Sequence, residues 1–170
     1  MTAALALTIR PERPDDAEPI ERLHERAFGP GRFARTAFRL RERAAETPEL
    51  CFTALVGTLL VGSVRMSPIS IGPEPALMLG PLAVEPAFDG RGIGSALMRA
   101  ALAAARDGGH GLAILVGDEP YYGRFGFARA PRGRFAMPAP VDPARLLAVE
   151  LAEGSLARAH GRVAGRRPSP

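Results

Sequence analysis

The chain has 170 residues, 46% of them hydrophobic, which suits one globular domain with its own core and excludes a disordered chain. A single cysteine, Cys51, excludes an internal disulfide and a multi-cysteine zinc site. The net charge of +4 comes from 22 basic residues, all arginine and spread along the chain, so no nucleic-acid-binding stripe is expected.

The opening "MTAALALTIR" has no basic region ahead of its short apolar run, and no run approaches the roughly 20 residues of a membrane span. A cytoplasmic protein with no membrane partner is therefore expected. "LALTIRPERPDD" reads as a first strand ending near Pro11. Asp15 with Glu18 resembles a capping box, and Ile20, Leu23 and Ala27 recur at helical spacing to about Phe28. After the "GPG" at 29–31, Phe33, Ala37, Phe38 and Leu40 alternate with arginines in a second amphipathic helix that Pro48 ends.

"LCFTALVGTLLVGSVRMSPISI" gives two β-rich runs broken at Gly57 and Thr58, as in a hairpin. Cys51 within it reads as a small buried hydrophobe, with a reactive thiol as the alternative. "ALMLGPLAV", 76–84, is a strand interrupted by Gly80 and Pro81, which marks an edge, a bulge, or a place where pairing is given up. A helix follows over 93–107, with Ile93, Leu97, Ala100, Ala101 and Ala104 on one face and a stop at Gly108 and Gly109. "GLAILVG" is an apolar strand of the type buried on both faces, completing a βαβ crossover. Pro120 opens a short helix through Tyr121, Tyr122 and Phe125 that closes at Gly126, and "RLLAVEL", 145–151, is the last strand candidate. Arg158, Arg162, Arg166 and Arg167 then read as a basic tail, so the domain is expected over 1–157 and the tail over 158–170.

The stretch "DGRGIGSAL" places Gly90, Gly92 and Gly94 directly ahead of a helix. One reading is a ligand-free β-to-α turn. A Walker loop is excluded, because no Lys-Ser/Thr pair closes it. A dinucleotide fingerprint begins at Gly90-Arg91-Gly92, but Ser95 stands at its third glycine and "EPAFD" separates it from the strand. In the remaining reading, Arg91 to Ser95 present successive N–H groups at a helix N-terminus, which binds pyrophosphate without a lysine. Gly92 and Gly94 then let phosphates approach the backbone closely.

This stretch resembles the acetyl-CoA-binding motif of the GNAT superfamily of N-acetyltransferases, Gln/Arg-x-x-Gly-x-Gly/Ala after a strand. Gly92 and Gly94 match its final glycines, Asp89 stands at the leading position, and Arg91 is the nearby positive charge. "PYYGRFGFARA" is similar to the family's closing signature, Tyr-x-x-x-Gly-Phe, which Tyr122 to Phe127 satisfy. The two motifs lie about 30 residues apart, with the expected helix and strand between them.

The resemblance implies a single-domain α/β fold, with a mixed, mostly antiparallel sheet flanked by helices and splayed central strands forming a CoA cleft. It implies acetyl-CoA as cosubstrate, no metal, and an amine acceptor that is a small molecule or a protein. Main-chain groups of Leu82, Ala83 and Val84 would hold the pantetheine. Gly90, Arg91, Gly92, Ile93, Gly94 and Ser95 would hold the pyrophosphate. Tyr122 would be the general acid that protonates the departing thiolate, with Tyr121 beside it as packing. A homodimer is compatible with such a fold. No base is assigned: Glu74, Glu85, Asp118 and Glu119 are as easily turn, cap or surface carboxylates, and His24 and His110 read as structural. The alternative is a non-catalytic acyl-CoA-binding or regulatory module on the same fold.

Overall fold

The computed structural model describes residues 6–167, and at 33 and 34 the main chain alone. Strand β1, Leu7–Pro11, pairs antiparallel with β2, Phe52–Val56, and between them run helices α1, Ala17–Phe28, and α2, Thr36–Glu42. Gly57, at φ +60°, turns β2 into β3, Leu59–Ile71. This strand lies antiparallel to β4, Glu74–Val84. Helix α3, Ile93–Asp107, then carries the chain across the sheet to β5, Leu112–Val116, which is parallel to β4. After the single turn α4, Glu119–Tyr122, come the two-residue strands β6, Ala128–Arg129, and β7, Phe135–Ala136. Strand β8, Leu146–Glu150, returns antiparallel along β5, and α5, Ser155–Arg158, leads into β9, Gly161–Gly165. The sheet is thus mixed and mostly antiparallel, in the order β1-β2-β3-β4-β5-β8-β6, with β9 joined to β3 and β7. Among the described residues no helix is long and apolar enough to cross a membrane.

Alternation along β4 divides the core. Leu77 and Leu79 meet the stripe of α3 formed by Ile93, Leu97, Met98, Ala101, Leu102 and Ala105, together with Val64, Met66 and Leu115. Ala76 and Met78 face the other way, into a cluster of Ile69, Ile71, Ile114, Leu40 of α2, Phe135 and Val163. Each fully buried leucine contributes about 2 kcal/mol to stability. The α3 stripe also takes in Met98, Leu102 and Ala105, while of the expected positions Ala104 packs half-buried against it and Ala100 is half-buried.

Several elements differ from their sequence expectations. Asp16, not Asp15, holds the entry to α1: its carboxylate accepts two bonds from Arg10, at 2.7 and 2.9 Å, and the Arg13 N–H at 2.7 Å, while Asp15 sits within a 3-10 turn opened by Pro14. The second helix is only seven residues long, because Arg35 is extended (φ −67°, ψ 143°) and Arg43 leaves the helical region. The Phe33 side chain, expected on its apolar face, lies outside what is described. The stretch expected as a tail contains β9, which pairs Val163 with Ile71 and takes the edge of β3 beyond the end of β2. Residues 168–170 of that stretch lie outside the described residues. Cys51 is buried, and burial pushes its thiol up, so it is the packed hydrophobe and not a ready nucleophile.

Candidate active site

Strand β5 pairs with β4 only at Leu77–Ala113 and Met78–Ile114. Beyond Met78 the two parallel strands diverge, so the β5-facing main-chain groups of 79–84 have no strand opposite them. A bulge sharpens the divergence. Opposite the single residue Arg65 of β3, β4 places both Gly80 and Pro81, since Val64 pairs with Leu82 and Met66 with Leu79. Proline carries no N–H for the ladder, and Gly80 sits at φ +131°. A side chain at Gly80 would press on Ala37 of α2, at 3.2 Å.

The gap is a cavity of about 520 Å³. Its floor is Met78 to Leu82 of β4 and Leu115 to Gly117 at the end of β5. Tyr121 and Tyr122 close it on one side, and Phe28, Arg35 and Phe38 around α2 on another. Leu79 and Leu115 belong to the α3 side of the sheet, whereas Met78, Ala37 and Val116 belong to the α2 side. The cavity is therefore lined by residues from both faces of the sheet.

At the α3 side stands the glycine turn. Gly90 and Gly92 have φ of +74° and +78°, which only glycine adopts readily, and nothing lies within 4 Å of where their side chains would point. The first bond recorded into α3 is from the Ala96 N–H to the Gly92 carbonyl, at 3.0 Å, and no side chain caps the terminus. The N–H groups of Ile93, Gly94 and Ser95 thus precede the ladder at the positive end of the helix dipole. The Arg91 guanidinium lies over the Phe88 ring, 5.1 Å from its centroid, which holds a positive charge beside the turn. Asp89 is exposed at the turn's outer edge.

The turn and the cavity are joined by one side chain. Tyr121 lines the cavity, and its hydroxyl lies 2.7 Å from where a Cβ on Gly94 would be, with Val84 Cγ2 at 3.8 Å from the same point. A residue expected to be packing thus reaches the helix terminus. No sequence spacing signals this, because Gly94 and Tyr121 meet only when the α3 crossover closes.

The local fold also fixes Tyr122. Pro120 opens α4, and the Tyr121 and Tyr122 N–H groups bond to the Asp118 carbonyl at 3.1 and 3.0 Å. Gly126, at φ +92°, ends the turn and leads Phe127 into the core, edge-on to Tyr122 with ring centroids 6.2 Å apart. The Tyr122 ring fills the place that a side chain on Gly117 would occupy. Burial pushes the Tyr122 phenol up to about 12, the neighbouring Tyr121 and Asp118 add to the rise, and Arg145 opposes it.

The carboxylates weighed from the sequence are all ion-paired: Glu74 with Arg158, Glu85 with Arg26, Asp118 with Arg145, and Glu119 with Arg129. Of these, Asp118 lines the cavity, at its exposed rim. His24 is fully buried beneath Phe28 and Phe38, and burial followed by Arg65 lowers it to about 4, so it is a neutral core residue behind the cavity wall. Burial also lowers His110.

A parallel β-α-β crossover with its strands parted thus lies inside a mostly antiparallel sheet. Residues 17–127 match the acetyltransferase (GNAT) family, and the chain belongs to that family of N-acetyltransferases. It is 32% identical over 126 residues to the uncharacterized N-acetyltransferase YhbS of Escherichia coli K12, an alignment covering 73% of this chain and 75% of that protein. The crystal structure of E. coli YhbS in complex with CoA superposes with a TM-score of 0.81 at 26% identity, covering 98% of this chain and 93% of that one. A GNAT acetyltransferase of Brucella melitensis in complex with acetyl-CoA aligns with a TM-score of 0.56 at 29% identity, over 85% and 96% of the two chains.

Proposed function

We propose that the protein transfers an acetyl group from acetyl-CoA to an amine acceptor, with the cosubstrate held on the α3 side of the sheet and the amine arriving from the α2 side. The supporting observation is an uncapped helix terminus linked through Tyr121 to a cavity between the parted strands that Tyr122 also lines. The donor set fits a polyphosphate ester: unbonded N–H groups at 93–95, open space before Gly90 and Gly92, and Arg91 fixed on Phe88. It fits an amide-bearing arm equally, because the edge of Leu82, Ala83 and Val84 on the β5 side has no strand to pair with.

Acetyl-CoA supplies an activated acyl carbon and a thiolate leaving group. The protein's own part is to orient, exclude water and hold a proton. Tyr122 keeps its hydroxyl proton at any working pH, since its phenol is pushed up to about 12. The thiolate of a thiol of ordinary pKa about 8.5 is a weaker base than this phenolate. The same desolvation that raises the phenol also raises a thiolate formed beside it, so the donor and acceptor of the proton shift together. Tyr122 is thus the general acid of this reading, and its proton is restored from the amine proton released on attack. Asp118 and Asp142, at the cavity rim, are placed to relay to bulk water the other proton, the one an ammonium acceptor sheds before it attacks.

The test has two parts. Native protein should bind acetyl-CoA in a calorimetric titration, and Gly92→Val, which puts a branched side chain at φ +78° in front of the terminus, should abolish binding. Tight binding by that variant would overturn the site. In an amine screen read by thiol release, Tyr122→Phe should lower kcat by about 10²-fold with KM for acetyl-CoA little changed. An unchanged kcat with chemistry rate-limiting would remove Tyr122 from the mechanism, and binding with no release for any amine would favour a binding module.

A further inference from the structure

Among the described residues eight arginines are ion-paired to carboxylates, namely 10, 22, 26, 32, 65, 129, 145 and 158. Arg39, Arg43 and Arg162 are exposed and have no such partner. They line one cavity of about 550 Å³ between α2 and β9, together with the single carboxylate of Glu42. Arg35 continues the row. Its carbonyl accepts the Arg39 N–H at 3.1 Å, its guanidinium lies 4.8 Å from the Phe28 centroid, and it lines the mouth of the cavity between the parted strands. Arg39 lies within α2, Arg35 and Arg43 flank its two ends, and Arg162 of β9 stands across the cleft from Arg39 and Arg43. Ala139 lines the first cavity and Pro138 the second, so the two adjoin.

The geometry points to a docking track for an acidic peptide segment, leading away from the acceptor mouth on the α2 side. This rests on the acetyl-transfer reading, and narrows the acceptor to a protein amine with acidic residues beside it. Charge supports it: three exposed guanidinium groups line one cavity that has a single carboxylate, next to a mouth lined by Arg35. An acidic segment leaving the mouth meets Arg35 and then the cavity of Arg39, Arg43 and Arg162. Arg167 is not part of the track, since it donates to the carbonyls of Glu42 and Arg43 at the end of α2. Among the described residues, the apolar lining of the cavity between α2 and β9 includes Leu40, Pro138 and Val163, and no aromatic ring lines it for bases to stack on. An acceptor also needs an alkyl amine, which a protein carries and a nucleic acid does not.

The experiment compares three proteins: native, the triple variant Arg39→Gln/Arg43→Gln/Arg162→Gln, and a charge-matched control, Arg13→Gln/Arg22→Gln/Arg106→Gln. Each is titrated into a labelled peptide with glutamate at alternate positions and one lysine at its end, a glutamine version of that peptide, and a single-stranded RNA of equal charge. Thermal melts confirm folding. The native protein should prefer the acidic peptide, more weakly as salt is raised, and the track variant should lose about tenfold affinity while the control loses less than about twofold. Acetyl-CoA titrations should be alike in all three. Equal losses in both triple variants, no preference over the glutamine peptide, or tighter binding to RNA would overturn the track. Failure of the acetyl-transfer reading is distinct: acetyl-CoA binding or thiol release is lost while the peptide affinities stand.

Discussion

His24 lies on the inner face of α1 with both ring nitrogens unbonded among the described residues, ringed by Phe28 and Phe38. Charges from Arg65, Glu21, Arg41 and Arg32 reach it from the neighbouring elements, and burial dominates, lowering it from 6.5 to about 4. A lowered histidine binds fewer protons folded than unfolded, so stability is intact above pH 6.5 and falls as pH drops towards 4. At pH 5 the penalty is about 2 kcal/mol, and near pH 7 it almost vanishes. His24→Leu should therefore gain stability relative to native protein on going from pH 7 to pH 5. Comparing denaturation midpoints of the two proteins at each pH isolates this effect, because the acid-sensitive Arg10–Asp16 pair is common to both. A gain that did not change with pH would show that His24 is not buried neutral. The sequence marked His24 as structural from its amphipathic helix; that both its ring nitrogens go unbonded was not legible, because the groups around them come from other segments of the chain.

The elements that form the site depend on small residues at strand and helix ends. Gly117 ends β5, and the Tyr122 ring occupies its side-chain space, so the chain can turn from β5 into α4 only while that position is bare. Gly117→Ala should push Tyr122 out of the cavity wall, lowering kcat about tenfold or more with acetyl-CoA affinity nearly unchanged, as separate turnover and binding measurements would show. Loss of both together would mean that the alanine disrupts the strand end and not the ring alone. The site's polar backbone was well signalled locally. The glycine turn, the bounds of α3, the interruption at Gly80–Pro81 and the α4 turn are each written in contiguous residues whose conformational limits are strong. The cavity's other walls were not legible, because Phe28, Arg35 and Phe38 reach it through the tertiary path of α1 and α2. Propensity alone also overextended α2, since nothing in "RFARTAF" announces that Arg35 stays extended.

At the scale of the molecule, the two-faced core shows why the C-terminal stretch is part of the fold. The sequence divided domain from tail at residue 158 on charge and glycine content, and those properties describe only the outward side of β9. Its inward side carries Val163, 1% exposed, and the residue leading into it, Ala159, is 0% exposed. Both cover the cluster of Ile69, Ile71 and Leu112 on the α2 side of the sheet. The Gly72 N–H bonds to the Arg162 carbonyl at 2.9 Å, and Arg134 holds the carbonyls of Ala157 and Ala159 at 2.8 and 3.1 Å, so the segment closes main-chain bonds on two sides. A five-residue strand with one inward valine is a weak sequence signal; its partner strand lies about ninety residues earlier. Deleting 159–170 would bare Ile69 and Ile71 and remove the Val163 contact, at a cost of about 3–5 kcal/mol, a large share of the stability of a domain this size. The truncated protein should melt roughly 10 °C lower or fail to accumulate in soluble form. Because β9 lies against α2, the truncation should also loosen the side of the cavity where Phe38 and Arg35 stand, raising KM for the acceptor more than that for acetyl-CoA. An unshifted melting temperature would return the stretch to the status of a tail, and an unshifted acceptor KM in a protein that still folds would separate β9 from the α2 side of the site.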